Sequence, residues 1–383
     1  MRSILCVSKI SDQNGWKIPG RIADLSGKLS DRLGERYMER TLLLEDGTRL
    51  KGNGFGSMSK SYGEIVFTTS MTGYLESITD PSYAGQILVF ASPTIGNYPL
   101  RYGKMESDRI QVAGIVARDA HSLLYSGEPG YEFSSLLESQ GIPGIDGIDT
   151  RMLVRKIRSS GVMRSYIMDD SETQLEWIDP MKSDLVGSTF NEKDIKFIRG
   201  SGKKKLLFIN LGAKKSLIEN MLKFSSIYIA SKDSDLESVD DYDAIFISNG
   251  PGDPKHPSLS GVTKFISSSI GKKPIFGVCF GLQIIALAYG SDTYKMKFGH
   301  RGSNHAVTDG KRIFVTTQNH GYAVNPDTVK DFSVSEWDVN DHTIEMIEDP
   351  KSNVMALQYH PESSPGPHDA RWFFSEMKRR IEG

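Results

Sequence analysis

From residue 205 onward, apolar and polar positions follow one another in a regular rhythm of short blocks. LLFINL (206–211) reads as a buried strand, and AKKSLIENMLKF (213–224) spaces its apolar residues as a helix does. SIYIA and AIFISNG read as strands, SLSGVTKFISSSI as a helix, and PIFGV (274–278) as a further strand. That strand runs straight into a stretch where Leu282, Ile284, Ile285, Ala288 and Tyr289 recur at mixed helical spacing. Strands alternating with helices imply crossover connections and a parallel sheet covered on both faces. The expected fold of residues 206–383 is therefore α/β, a doubly wound, mainly parallel sheet.

Upstream the pattern differs. TLLLEDGTRLKGNGFG (41–56) reads as a hairpin with Asp46–Gly47 at its turn. The glycines at 52, 54 and 56 lack the spacing of a nucleotide loop and read as a connecting loop. Short β-rich runs then mix with one or two helices, which predicts a mixed β/α domain over residues 39–190. NEKDIKFIRGSGKKK (191–205) is charged and Gly/Ser-containing, and reads as a linker. In the first 38 residues, Ile22, Leu25, Leu29 and Leu33 make one apolar stripe that Gly27 weakens. Asp12, Asp24, Asp31 and Glu35 argue against an acid-poor transit peptide there, so this segment reads as an extension.

Composition narrows the function classes. At 383 residues, 38% hydrophobic and 25% charged, the chain has room for two or three ordinary cores. A formal net charge of −2 gives no reason to invoke nucleic acid or a membrane surface. No apolar run approaches the roughly 20 residues of a membrane span. Two distant cysteines, Cys6 and Cys279, make no disulfide framework, which fits a reducing cytoplasm.

Cys279 lies between Gly277 and Gly281, where a strand turns abruptly into a helix, the pattern of nucleophile elbows. A buried structural cysteine is the alternative, since a free thiol packs as a small hydrophobe. The turn SNGPGDP (248–254) falls at another strand end, where the crevice of such a sheet lies. A working thiol needs a base, because the thiolate is the nucleophile. His360, in VMALQYHPESS, sits at a strand end with Glu362 two residues on, where a carboxylate can orient an imidazole. An ordinary strand-end histidine is the other reading. His320, in QNHGY, is a second candidate without a nearby acid. His300 and His305, in KFGHRGSNH, have no acidic or cysteine cluster beside them in sequence, and a loop role with no metal is expected.

Taken jointly, GPGDP, G-x-C-x-G-x-Q and H-P-E resemble the class I, triad-type glutamine amidotransferases. TSMTGYLESITDPSYAGQI, GIDTRMLVRKI, MKFGHRGSNHAV, TTQNHGYAV and HPESSPGPHDA narrow the likeness to the small subunit of glutamine-dependent carbamoyl phosphate synthetase. The resemblance covers residues 39 to about 380. It implies Cys279 as nucleophile, His360 as base and Glu362 as its orienter. It also implies an L-glutamine pocket made by Ser82, Gly250, Gly252, Phe280, Gln283, Asn319, Gly321 and Tyr322. It implies a large-subunit partner in a cytoplasmic heterodimer, making carbamoyl phosphate for arginine and pyrimidine synthesis. No P-loop pattern occurs in the chain, so no cofactor is expected here. ATP and Mg²⁺ are expected on the partner, with the N-terminal domain docking it.

Three positions depart from the family pattern. Phe280 replaces the usual leucine and Leu282 stands where many relatives have histidine. Asn210-Leu211-Gly212 differs at a strand end expected to lie away from the triad. MERTLLLEDGT matches where family chains begin, so translation is expected to start at Met38. The intact mass of protein from its native source should match that start, and a mass counting from Met1 would overturn it.

Overall fold

The computed structural model describes residues 38–120, 129–172, 175–236 and 238–383. The extension expected at 1–38 therefore lies, but for Met38, outside the described residues. Residues 38–383 form one compact unit.

The expected hairpin is present as β1 (Glu39–Leu44) and β2 (Arg49–Gly56), paired antiparallel with Leu42 opposite Leu50. Its turn needs Gly47, whose φ of 86° is left-handed. The glycine run at 52–56 is not a loop but the body of β2, flanked by β1 and by β6 (Pro143–Asp146). A Cβ on Gly52 would stand 2.2 Å from the Asp146 carbonyl oxygen, so glycine is what lets these backbones meet. With β3 (Ser61–Thr68), β4 (Gln86–Phe90), β5 (Gly114–Val116) and β7 (Met163–Met168) these strands close a barrel in the order β1-β2-β6-β5-β4-β3-β7. A helix over Thr150–Ser160, capped by the Asp149 carboxylate on the Met152 N–H, packs Leu153 and Ile157 against Ile65, Ile87 and Ile145.

The second half is built on β8 (Lys196–Ile198), β9 (Lys204–Ile209), β10 (Ser225–Ala230), β11 (Ala244–Ile247), β12 (Ile275–Val278), β13 (Thr293–Thr308), β14 (Ile313–Val324), β15 (Ser333–Asp338), β16 (Ile344–Asp349) and β17 (Val354–Leu357). Their order is β14-β13-β15-β16-β17-β12-β11-β9-β10-β8. The parallel pairing read from the alternation holds across β10, β9, β11, β12 and β17. β8 and β13–β16 add antiparallel strands on either side. Period-two alternation along β9 sends Leu207 and Ile209 to one face, beneath helices Ser260–Ser269 and Phe280–Ala288. Leu206 and Phe208 go to the other, beneath helices Lys215–Leu222 and Trp372–Glu382. The sheet is thus wound on both faces. Within 191–205, read as a linker, β8 forms an edge strand on β10 and leaves Phe197 exposed.

Cys279 sits at the carboxyl end of the central strand β12, and two glycines fix the bend around it. A Cβ on Gly281 would lie 2.2 Å from the Ile247 carbonyl oxygen of β11, and one on Gly277 would lie 2.8 Å from the Gly281 carbonyl carbon. The helix start is pressed onto the neighbouring strand with no room for a methyl group. Gly281→Ala is expected to lower stability by about 1–3 kcal/mol, the usual cost of overpacking. The urea midpoint measures it, and an unchanged midpoint would mean the elbow is looser than its geometry.

Candidate active site

The thiol is held in a strained turn. Cys279 has φ 56° and ψ −104°, a conformation a non-glycine residue keeps only when its surroundings impose it. Its N–H donates to the Leu357 carbonyl of β17 at 2.7 Å, and its Sγ contacts the Asn319 carbonyl of β14 at 3.4 Å. The sulfur is nearly buried, at the amino end of helix Phe280–Ala288.

His360 follows β17, and its N–H donates to the Thr317 carbonyl at 2.8 Å. Its Nδ1–H donates to Glu362 Oε1 at 2.7 Å. Nε2 has no hydrogen-bond partner, and the Cys279 sulfur is near enough to act electrostatically on the ring. Behind Glu362 lies a group the sequence reading missed. The Lys214 ammonium is 2.8 Å from Glu362 Oε1 and donates to the Ser364 carbonyl at 2.5 Å.

All three charged groups are buried, and they sustain one another. Burial works against the Lys214 charge, but Glu362, Glu106 and Asp80 hold its pKa above the usual lysine value. Burial would likewise raise the Glu362 pKa, yet Lys214 and His360 hold it well below the carboxylate range. For His360 burial is again outweighed, by Glu362 first and Cys279 second, and its pKa is pushed up to about 10.

The segment Asn210–Gly212, expected to lie away from the triad, shapes the approach of this lysine. Asn210 Oδ1 accepts from the N–H groups of Gly212 and Ala213 at 2.9 and 2.8 Å, folding the loop that delivers Lys214 to Glu362. The sequence signal was a polar side chain at the end of an apolar strand.

Ser82, Gly250, Gly252, Phe280, Gln283, Asn319, Gly321 and Tyr322 line a single cleft together with Cys279. Asp80 ties two of them, accepting from the Ser82 N–H at 2.9 Å and from Asn319 Nδ2 at 2.8 Å. Gln283 is anchored, with Nε2 donating to the Tyr322 carbonyl at 2.8 Å and to Gln358 Oε1 at 3.1 Å. A Cβ on Gly250 would fall 2.3 Å from the Leu211 carbonyl oxygen, and Gly252 has φ 87°, so both turns need glycine. Glu64, Gln86, Met181, Arg301 and His320 also line the cleft and were not anticipated as a pocket. Glu64 and Gln86 face each other across β3 and β4 and are hydrogen bonded at 3.3 Å. The clue was a polar residue just before each of two apolar runs, Ile65–Phe67 and Ile87–Phe90.

The other histidines separate clearly. His320 Nδ1 donates to the Tyr322 carbonyl at 2.8 Å, Nε2 faces Gln318 Oε1 at 3.1 Å, and burial pulls its pKa well below the ordinary value. It has no contact suited to taking a proton from Cys279. His300 and His305 lie on strand β13, not on a loop, because β14 and β15 pair with it on both sides. Leu282 is fully buried in the core beneath the elbow, so the histidine that relatives carry there has no counterpart at the sulfur.

Residues 42–167 match the family of carbamoyl-phosphate synthase small chains, CPSase domain, and residues 207–379 match glutamine amidotransferase class-I. A carbamoyl phosphate synthase small chain of Thermoplasma acidophilum is 64% identical over 345 residues, covering 90% of this chain and 99% of that one. The chain belongs to the carbamoyl phosphate synthase small-chain family. The small chain of Thermoplasma volcanium is 60% identical over 344 residues, with 90% and 99% covered. Among solved structures, a glutamine amidotransferase from Thermotoga maritima aligns over 47% of this chain and 84% of that one, with 17% identity and a TM-score of 0.36. As a small chain of this family, the protein is the glutamine-hydrolysing subunit of carbamoyl phosphate synthase and has a large-subunit partner. No helix among the described residues is long and apolar enough to cross a membrane.

The raised pKa of His360 has a consequence for stability. The unfolded chain releases this proton near the ordinary value of 6.5, whereas the folded chain keeps it to about 10. Its contribution is full below the lower value and is lost as pH rises through the upper one. His360→Gln should therefore flatten the fall in urea midpoint between about pH 7 and about pH 9.5. An equally steep fall in the variant would contradict the charge assigned to His360.

Proposed function

We propose that Cys279 attacks the side-chain amide carbon of L-glutamine and that His360 and Glu362 complete its triad. The observation that carries this reading is the buried chain of contacts from Lys214 through Glu362 to His360, whose charge is sustained in part by the Cys279 sulfur lining the cleft. His360, charged at neutral pH, delivers its proton to the departing nitrogen. The C–N bond breaks, ammonia leaves, and a γ-glutamyl thioester remains on Sγ. The imidazole, now neutral, takes a proton from water, whose oxygen attacks the thioester and frees glutamate. The N–H groups of Phe280 and Gly252 hold the oxyanion; losing one such donor typically costs about 2.7–4 kcal/mol. Because backbone supplies these donors, phenylalanine serves at 280 as well as leucine.

Ser82, Gly250, Gln283, Asn319, Gly321 and Tyr322 shape the glutamine pocket in this reading. ATP and Mg²⁺ act on the large subunit, in a cytoplasmic heterodimer docked through the domain at 39–190. The carbamoyl phosphate it forms feeds arginine and pyrimidine synthesis. Ammonia needs a dry route to that partner. A second cavity touches His360, Lys214 and Thr317 on one side and Ser70, Glu76 and Asp80 of the N-terminal half on the other. Its position supports an exit on the side of His360 away from the glutamine cleft.

Cys279→Ser should abolish glutamine-dependent carbamoyl phosphate formation by the complex while leaving ammonia-dependent formation intact. Full glutaminase turnover in that variant would refute the assignment.

A further inference from the structure

His300 and His305 are five residues apart, an odd spacing that puts two side chains on opposite faces of a regular strand. The pairing of β13 with β14 slips between Gly302 and His305, and this irregularity brings both imidazoles to one side, with ring centroids 4.8 Å apart. Three carboxylates absent from the local sequence gather there from the β15–β16 hairpin: Asp338, Asp341 and Glu345. Their ion-pair partners are only His300 and His305, and no lysine or arginine stands within ion-pair distance of them among the described residues. The cluster therefore carries an excess of negative charge.

Two buried atoms in it, His300 Nδ1 and Asp338 Oδ2, have no hydrogen-bond partner, their nearest opposite charges standing at 3.9 and 3.8 Å. His300 is only 6% exposed and its other nitrogen, Nε2, is fixed by Asp341 Oδ2 at 3.0 Å. A carboxylate on one ring nitrogen that leaves the other as a lone pair is how metal-binding histidines are commonly oriented. One ligand atom each from His300, His305 and Asp338 lie within 4.8 Å of one another. His305 Nδ1 and Asp338 Oδ2 are 3.8 Å apart. Tetrahedral ligands at about 2.0–2.1 Å from a Zn²⁺ ion stand about 3.4 Å apart, so a contraction of about half an ångström closes this edge. His305 is partly exposed and provides the way in.

We propose that His300, His305 and Asp338 form a binding site for a divalent transition-metal ion of the Zn²⁺ class, with Asp341 orienting His300. Two imidazoles and one carboxylate suit Zn²⁺ or Co²⁺ better than Mg²⁺ or Ca²⁺. The ion joins β13 to the end of β15, next to the His300–His320 cross-strand pair that adjoins Asn319. It is thus a clamp on the strand pair that lines the cleft, outside the glutaminase chemistry.

The test is titration of the chelator-stripped full chain with Zn²⁺ and Co²⁺, read by bound metal per chain, by the visible Co²⁺ spectrum and by melting temperature. It is run with Cys6 and Cys279 both replaced by Ser so that no thiol can bind the metal. One equivalent bound, a tetrahedral Co²⁺ spectrum and a rise in melting temperature are expected. Loss of all three is expected in His305→Gln and in Asp338→Asn, both of which keep a polar side chain of similar size. Binding that survives both substitutions, binding lost in Glu345→Gln but not in Asp338→Asn, or no saturable binding in the cysteine-free chain would each overturn the site. A cooperative melt of the metal-free variants shows that they are folded.

Discussion

A buried ammonium and a buried carboxylate hold the imidazole at Cys279 in its charged form. Taking Lys214 or Glu362 out of water singly would cost several kcal/mol, and only their 2.8 Å contact and the neighbouring His360 make either charge tolerable. The four members come from three places: Lys214 from the loop after β9, His360 and Glu362 from the loop after β17, and Cys279 from the end of β12. The parallel centre of the sheet is what aligns these ends on one side. Parallel strands deliver their carboxyl ends to a common edge, so loops distant in sequence become neighbours.

The barrel is bound into the same constraint. Glu106 accepts from the Ser216 N–H and hydroxyl at 3.0 and 2.7 Å, and its carbonyl accepts from the Lys215 N–H at 2.8 Å. It therefore pins the two residues that follow Lys214 and adds to the negative field that keeps the lysine charged. Asp80 does the corresponding work at the cleft by joining Ser82 of the barrel side to Asn319 of β14. Thr69 donates its N–H to the Arg301 carbonyl at 3.1 Å across the same seam. The cleft is consequently a property of both halves and cannot be assembled by residues 206–383 alone.

Local rules made part of this legible. The blockwise alternation after residue 205 specified the parallel centre and its two helical faces, because buried strands and amphipathic helices differ in period. The elbow was visible because glycine on both sides of a cysteine has few other uses. What stayed hidden depends on distance in sequence. Asp338 stands thirty-three residues after His305 by numbering, and only antiparallel pairing of β13 with β15 joins them. Lys214 looked like one more surface lysine, since nothing adjacent to it announces that a carboxylate from residue 362 will fold onto it. The glycines of β2 misled because glycine marks loops more often than close strand contacts, and β13 was obscured by polar residues whose partners lie inside the sheet.

The distribution of polar groups across the two halves bears on how hydrolysis is coupled to use of the ammonia. The cleft at Cys279 takes Glu64, Ser82 and Gln86 from the N-terminal half, and the second cavity, which touches His360, takes Ser70, Glu76 and Asp80 from it. Asp80 contacts both, since its carboxylate holds Ser82 and Asn319 while it also faces the second cavity. A displacement of the barrel by a bound large subunit would act on the walls of both cavities at once, through a carboxylate with two committed oxygens. Coupling of that kind requires no long pathway. It follows from placing one hydrogen-bonded aspartate at the seam where the two halves share the walls of both cavities.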